Sequence, residues 1–437
     1  MNSEKKIEVF VSKAEEGLYL PIFFEIEGRI EGITIRYDYE KDEYIEHNKS
    51  VQKHNNSIID FSIIAPQNQY LGSSGSNRSI LKFSNTSSSV GFSNPTKLEG
   101  QWTILLGAYK VPDEGINVIY TVSLKEKQRR LLKGDTHTHS TGSDGKVPLN
   151  LLVDIAKNIE LDYLIITDHN IFHSTTEMYT DENFTLIGGS EWTQYNGHGN
   201  FWGIDQPIRP NFSTISNEET LQFIEEGKNM GAKFVVNHPF CLHCPWLWTL
   251  DIPFDAVEIW NGGTFIRSNI SAIDWWHEQL LLGKKIAVTG GSDFHSFDLF
   301  RMLGCPTTNV YAWSSSEDDI LEALISGNSY ISYTVNAPGI DFDQSSVIFG
   351  ETYPKEHETN ICFNNLKSNQ TIRIITNIGV EDIKIKSNEI LKNISINTES
   401  ISFLRCEIIG NVIPQSTDDQ IFPLMITNAI YFIDLEV

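Results

Sequence analysis

The chain has 437 residues, 40% of them hydrophobic and 21% charged, enough for two or three domains that each bury a core. Its formal charge of -24, from 33 basic against 57 acidic residues with no run of Lys or Arg, excludes nucleic acid as a bulk partner. No apolar stretch reaches the roughly 18 residues of a membrane span, the N-terminal "MNSEKKIEVFVSKAEEG" has no apolar signal core, and the five cysteines are an odd number, so a reducing cytoplasm is the expected setting.

Over residues 1–128, short alternating runs such as "IEVFVS", "ITIRYDY", "WTILLGAY" and "NVIYTVSL" are divided by Ser-, Asn- and Gly-rich clusters. That pattern predicts an antiparallel β-sandwich domain. The basic "LKEKQRRLL" forms a joint, and over residues 129–338 the rhythm becomes strand, loop, helix. "LNLLVDIAKNIEL" has helical spacing, "DYLIITDHN" is a buried strand, and "NEETLQFIEEGKNMG" is an amphipathic helix closed by Gly231. Strands "KFVVNHP", "DAVEIWNG" and "KIAVTGGSDFH" follow, with the helix "SAIDWWHEQLLLG" between the last two. Such alternation predicts an α/β domain whose parallel sheet closes, or nearly closes, into a barrel. After "SEDDILEALISGNSYIS" the β texture returns, predicting a C-terminal β domain over residues 339–437.

Onto this frame fall the histidines. His137, His139, His169, His238 and His295, with Glu191 and Asp293, stand at or just past the C-terminal ends of predicted strands, the face where barrel enzymes carry their chemistry. Residues two apart on a strand project to one side, so His137 and His139 aim together, as do Asp293 and His295. Each signal has a plainer reading: His-x-His as half-buried strand residues, "TDH" as a strand end capping a turn, "NHP" as a turn, Glu191 as a solvated acid. Seven such groups on one face are costly without compensating cations, and imidazole with carboxylate suits Zn, Mn or Fe.

The segments "GDTHTHSTGSDG", "DYLIITDHN", "GGSEW", "NGHGNFWGI", "NHP" and "GGSDFH" resemble, in order, the motifs of the PHP (polymerase and histidinol phosphatase) metallohydrolases over about residues 130 to 335. "LEGQWTILLGAYKV" and "GHGNFWGI" further resemble the CehA/McbA branch, known for carbaryl-type carbamate ester hydrolysis, although branch membership does not fix the substrate. The resemblance implies a distorted (β/α)7 TIM-like barrel, with β-sandwich-like regions on either side, and two to three divalent metal ions. It implies His137, His139, Glu191 and Asp293 on the first ion, Glu191, His198 and His238 on the second, and Asp144, His169 and His295 on the third. Glu191 is then the bridging ligand, and Asp144 stands where some relatives have a histidine. Asp135 and Asp168, beside ligands, are expected to orient an imidazole.

The implied activity is hydrolysis of a phosphoester or of a carboxyl or carbamate ester of a small organic substrate by a metal-activated hydroxide. Three divalent ions against the carboxylates of Asp144, Glu191 and Asp293 leave the pocket positive in an acidic protein. Proton delivery to the leaving group falls to Asp168 or to a metal-bound water. "CLHCPWLW" places Cys241, His243 and Cys244 in an expected loop over the active face, with Trp246 and Trp248 as an apolar wall to which Trp192, Trp202 and Trp260 add. Such a wall, with few basic residues, favours an aryl ester over a phosphate-specific pocket. His173 and His277 lie off the pattern and are expected to be structural. The β regions are expected to serve recognition or a homo-oligomer; a non-catalytic binding protein with a vestigial barrel is the alternative, against which every donor is chemically competent.

Overall fold

The computed structural model describes residues 2–47, 50–55, 57–75, 78–85, 87–173, 179–181, 183–262, 266–297, 302–355, 358–410 and 423–434. By its internal contacts the chain divides into two units, Met1–Gln128 and Arg129–Val437.

In the first unit the alternation of "ITIRYDY" becomes burial: along the strand Ile30–Asp38, Ile33, Ile35 and Tyr37 face inward while Arg36 and Asp38 face solvent. One antiparallel sheet has the order Asn2–Val11, Ile116–Glu126, Ile30–Asp38, Ile80–Phe83. A second has the order Tyr19–Ile26, Gly100–Lys110, Ile58–Ala65, Gln69–Ser74. Their inner faces share one core, to which the first contributes Ile35 and Tyr120 and the second Phe24, Ile63 and Trp102. The Trp102 indole, fully buried, donates to the Leu98 carbonyl at 2.8 Å, so its one polar atom is satisfied.

The second unit carries the candidate ligand histidines. Seven strands lie in the spatial order Ala287–Gly291, Ala256–Asn261, Lys233–Val236, Gly197–Trp202, Thr185–Gln194, Tyr163–Ile166, Arg130–Thr138. The sheet is mixed rather than parallel throughout, because Gly197–Trp202 runs antiparallel to both neighbours. Its connection dictates this: only Tyr195 and Asn196 separate it from Thr185–Gln194, whereas a parallel return needs a crossover of about a dozen residues. The other pairs in the run are parallel.

The two ends of this run meet just past their last strands. Asp293 N donates to His137 O and His139 N to Phe294 O, each at 2.9 Å, and Thr138 bridges Phe294 in parallel. Gly291 permits the approach: a Cβ there would stand 2.3 Å from that of His137.

Helices cover the outer faces. Leu149–Asn158 (α1) lays Leu152, Val153 and Ala156 against Leu164 and Ile166. Asn217–Asn229 (α2), capped by the Ser216 hydroxyl accepting from Glu219 N, packs Phe223 and Ile224 on Phe234 and Val236. Ile266–Leu281 (α3) sets Trp276 on Val257 and Val288, and Glu317–Ile325 (α4) sets Ile320 and Leu324 on Tyr163 and Val310. Covered on both sides, Tyr163–Ile166 is buried at every position, which explains its unbroken apolar run.

Beyond Arg130–Thr138 the same sheet continues antiparallel through Thr307–Ala312, Ser329–Ser332, Met425–Thr427, Phe403–Ile409, Thr371–Thr376 and Gly379–Lys384. Residues 339–437 therefore lie in one unit with residues 129–338. A three-stranded sheet, Gly339–Asp341, Thr359–Leu366 and Glu389–Ile396, closes a further core with Ile340, Phe363, Ile372 and Leu404. Buried Asn428 fastens the regions: its side chain accepts from Val288 N at 2.8 Å and donates to Val288 O at 2.9 Å and to Ser329 Oγ at 2.9 Å.

Candidate metal centre

Glu191 lies near the middle of Thr185–Gln194, 1% exposed, and its carboxylate is ringed by imidazoles. Oε1 is 3.1 Å from His198 Nδ1 and 3.4 Å from the Nε2 atoms of both His137 and His238. Oε2 is 2.8 Å from His169 Nδ1 and 3.5 Å from His139 Nε2. The Asn237 amide steadies the carboxylate, donating to Oε1 at 3.0 Å and to Asn200 Oδ1 at 2.9 Å. Burial would raise the Glu191 pKa, but the imidazoles around it, His137 foremost with His169 and His198, hold it well below the usual carboxylate range.

Asp293 completes the inner side, its Oδ1 3.1 Å from His139 Nε2 and 3.6 Å from His137 Nε2. On the outer side Asp144, half exposed, places Oδ1 3.2 Å from His295 Nε2 and 3.5 Å from His169 Nε2. The donors fall into overlapping groups whose ligand atoms lie within 4.8 Å of one another: His137, His139 and Asp293; His137, Glu191 and His238; His198, His238 and Cys244; and His139, Asp144, His169 and His295. All nine residues expected as ligands thus enter these groups, and Cys244 enters one of them from behind His238, its sulfur 3.8 Å from Nδ1 while Nε2 faces Glu191.

A cage of this composition fits divalent cations. His137 Nε2, both ring nitrogens of His139 and Glu191 Oε2 are buried without a hydrogen-bond partner, a state that costs about 1–3 kcal/mol per group unless something satisfies it. Nitrogen and carboxylate oxygen are the donors that Zn, Mn and Fe accept. The backbone is bent to deliver them: His238 and Asp293, each just past a strand, have φ of 28° and 51°. Such conformations cost a non-glycine residue about 1–3 kcal/mol and cluster at functional sites.

Around the cage, one partner was not expected. Glu258, 2% exposed within Ala256–Asn261, sets Oε1 3.0 Å from His137 Nδ1, while its Oε2 accepts from His238 N at 3.1 Å and Asn261 Nδ2 at 3.0 Å. It fixes the His137 ring with Nε2 turned inward. Burial alone would lower the His137 pKa, but Glu258, Glu191 and Asp293 together hold it well above the usual imidazole value. An acid inside the apolar "DAVEIWNG" was the available signal.

Asp135 and Asp168 differ from expectation, since neither orients a ligand imidazole. Asp135 accepts from the backbone N–H groups of Ser292 at 2.9 Å, Gly304 at 2.8 Å and His137 at 3.3 Å, tying strand ends together. Burial lifts its pKa to about 6 against those bonds. Asp168 accepts from Ser140 N and Ser143 Oγ at 2.7 Å each, from Ser140 Oγ at 2.5 Å and from His173 Nε2 at 2.6 Å. Burial would raise it, but the bonds from His173, Ser140 and Ser143 hold it down to about 2. It braces the loop carrying Asp144, and His173 is its partner.

Four of the tryptophans expected in the aromatic wall are buried in the fold. Trp192, Trp202 and Trp260 are 2%, 0% and 1% exposed and belong to separate apolar clusters. Trp246 is also buried, against Gly197, where a Cβ would come within 2.6 Å of its ring. Large exposed apolar groups of the 239–250 loop are instead Leu242 and Leu247. His277 packs edge-on to Phe403.

No protein-family profile and no curated protein matches the chain. Among solved structures it is similar to a two-domain protein of Bacteroides vulgatus containing a predicted PHP-like metal-dependent phosphoesterase, at 19% identity and TM-score 0.40 over 69% of this chain and 98% of that one. A protein of Bifidobacterium adolescentis described as a metal-dependent phosphoesterase matches at 17% identity and TM-score 0.30, over 44% of this chain and 95% of that one. An amidohydrolase of Chromobacterium violaceum, with bound sulfate and no metal, matches at 15% and 0.27 over 39% and 91%. These likenesses are slight, and the chemistry rests on the cage itself.

Proposed function

We propose that the chain is a metal-dependent hydrolase of PHP type, acting on a phosphoester or on a carboxyl or carbamate ester of a small organic molecule. The observation that supports this best is Glu191: one buried carboxylate touched by five imidazoles, with its own Oε2 and inward nitrogens of His137 and His139 lacking hydrogen bonds. Two or three divalent ions held there would supply an acidified water as nucleophile and a Lewis acid for the substrate oxygen.

The chain's own residues have distinct tasks. His137, His139, Glu191 and Asp293 would hold one ion, Glu191, His198 and His238 the next, and Asp144, His169 and His295 a third near the surface. Glu191 spans them, Glu258 and Asn237 fix ring and carboxylate orientation, and the buried inner side excludes bulk water. The half exposure of Asp144 against full burial of His137 and His139 makes its side the entrance. The reading extends to a seven-strand distorted barrel of the CehA/McbA type, a cytoplasmic setting, and a small anionic or neutral ester in place of nucleic acid, in keeping with the charge of -24. Assembly through the β regions belongs to the same proposal.

Elemental analysis of protein purified without chelators, followed by a panel of p-nitrophenyl phosphate, a phosphodiester, a carboxyl ester and an aryl carbamate, tests it. Two or more metal equivalents and turnover that chelation removes and metal restores are expected. A metal-loaded protein inert towards every member of the panel would overturn it.

A further inference from the structure

Two of the cage imidazoles share an arrangement in which one ring nitrogen faces a carboxylate of the cage and the other is held from outside. His137 turns Nε2 to Glu191 and Nδ1 to Glu258. His295 turns Nε2 to Asp144 and Nδ1 to the Asp293 carbonyl, at 2.8 Å. For His238 the inward atom is again Nε2, 3.4 Å from Glu191, and the atom outside, 3.8 Å from Nδ1, is the sulfur of Cys244. Cys244 therefore stands behind His238 where Glu258 stands behind His137 and the Asp293 carbonyl behind His295.

That sulfur has a neighbour. Cys241 Sγ is 3.2 Å from Cys244 Sγ, and both thiols are free and partly exposed. Two thiolates on one tetrahedral zinc ion at ~2.3 Å each would stand about 3.8 Å apart, and no donor group among the described residues includes Cys241. The pair is thus placed as a dithiol, short of a bond by the difference between 3.2 Å and about 2.05 Å. Its loop is built: Cys241 N donates to His238 O at 2.9 Å, Trp246 N to Pro239 O at 2.9 Å, and Leu247 N to Asn196 O at 2.8 Å.

We propose that Cys241 and Cys244 form an oxidisable pair that positions His238 when reduced and releases it when joined. The step is a two-electron oxidation: both S–H bonds break, one S–S bond forms, and with hydrogen peroxide the two protons and two electrons convert the oxidant to two waters. The disulfide sulfur of Cys244 is then a poor acceptor for the His238 Nδ1 proton and is drawn towards Cys241. The proposal rests on the metal-centre reading.

Full-length protein stripped of metal is titrated with Zn2+ against a chromophoric chelator, fully reduced and after diamide, which takes up the two protons and two electrons to become a hydrazine. Peptide mass spectrometry of the same samples reads the 241–244 segment. Loss of two hydrogens, reversed by dithiothreitol, is expected together with Zn2+ binding weakened about 10- to 100-fold at one position. Cys241→Ser should bind like reduced wild type and ignore diamide, while Cys244→Ala should bind weakly under both conditions. A segment that stays reduced in excess diamide, or a disulfide that leaves Zn2+ affinity unchanged, overturns the proposal and leaves the metal centre standing. Reduced wild type that takes up no Zn2+ overturns both.

Discussion

Glu258 Oε1 lies 3.0 Å from His137 Nδ1, and both side chains are sealed from solvent. A carboxylate in that place sets the tautomer of the ring and strengthens its inward nitrogen as a donor. Glu258→Gln keeps the volume but removes the charge, and metal affinity should fall about 10- to 100-fold. Competition with a chromophoric chelator reads this; affinity equal to wild type would show the contact to be incidental.

Glu191→Ala removes the group shared by five imidazoles. Turnover should vanish and bound metal should drop, with the far-ultraviolet circular dichroism spectrum retained because the strand Thr185–Gln194 keeps its ladder on both sides. Wild-type activity in this variant would refute the bridging role.

Asp144→Ala acts at the exposed rim, so the stability of the metal-free protein should change by less than about 0.5 kcal/mol. Its contacts to His169 and His295 predict loss of one metal equivalent with partial activity left. Unchanged metal content by elemental analysis would count against a third position.

Asp168→Ala leaves the Ser140 amide and hydroxyl, the Ser143 hydroxyl and the His173 ring without their acceptor. A loss of about 2–4 kcal/mol in urea unfolding is expected from such a buried network. If Asp168 served instead as a proton donor alone, stability would hold while turnover collapsed.

Asn428→Ala should cost about 2–4 kcal/mol, because Val288 loses the partner of both its N–H and its carbonyl inside the core. Since Val288 lies in the strand that leads to Asp293, chelator competition should also show weaker metal binding. A variant with wild-type melting behaviour would mean that Asn428 fills space only.

The gathering of His137, His139, His169, His238, Asp293 and His295 was legible because each interrupts or directly follows an apolar strand, and polar groups at strand ends of an α/β sheet share one face. What surrounds them was not. Glu258 is visible as a lone acid among "DAVEIW", but sequence spacing does not say which of several imidazoles it meets 121 positions away. Asp168 precedes a donor and so invites a chemical role, yet its bonds go to Ser140, Ser143 and His173, fixed by loop geometry that no periodicity encodes. Trp192 neighbours Glu191 on its strand and so projects to the opposite face, while Trp202 and Trp260 are sealed in apolar clusters that their place in the chain does not reveal. The reversal at Gly197–Trp202 was readable in principle from its two-residue connection, and the strand-helix rhythm elsewhere masked it.

The seam at which Asp293 N meets His137 O and His139 N meets Phe294 O is made by the very residues that would grip the cations. Unzipping this junction and emptying the cage are then a single event, and free ion concentration enters folding by mass action: a cation at 1,000 times its dissociation constant adds about 4 kcal/mol. Cations bound there would act as a clasp, and a chelator in the buffer would work as a denaturant specific to the unit Arg129–Val437.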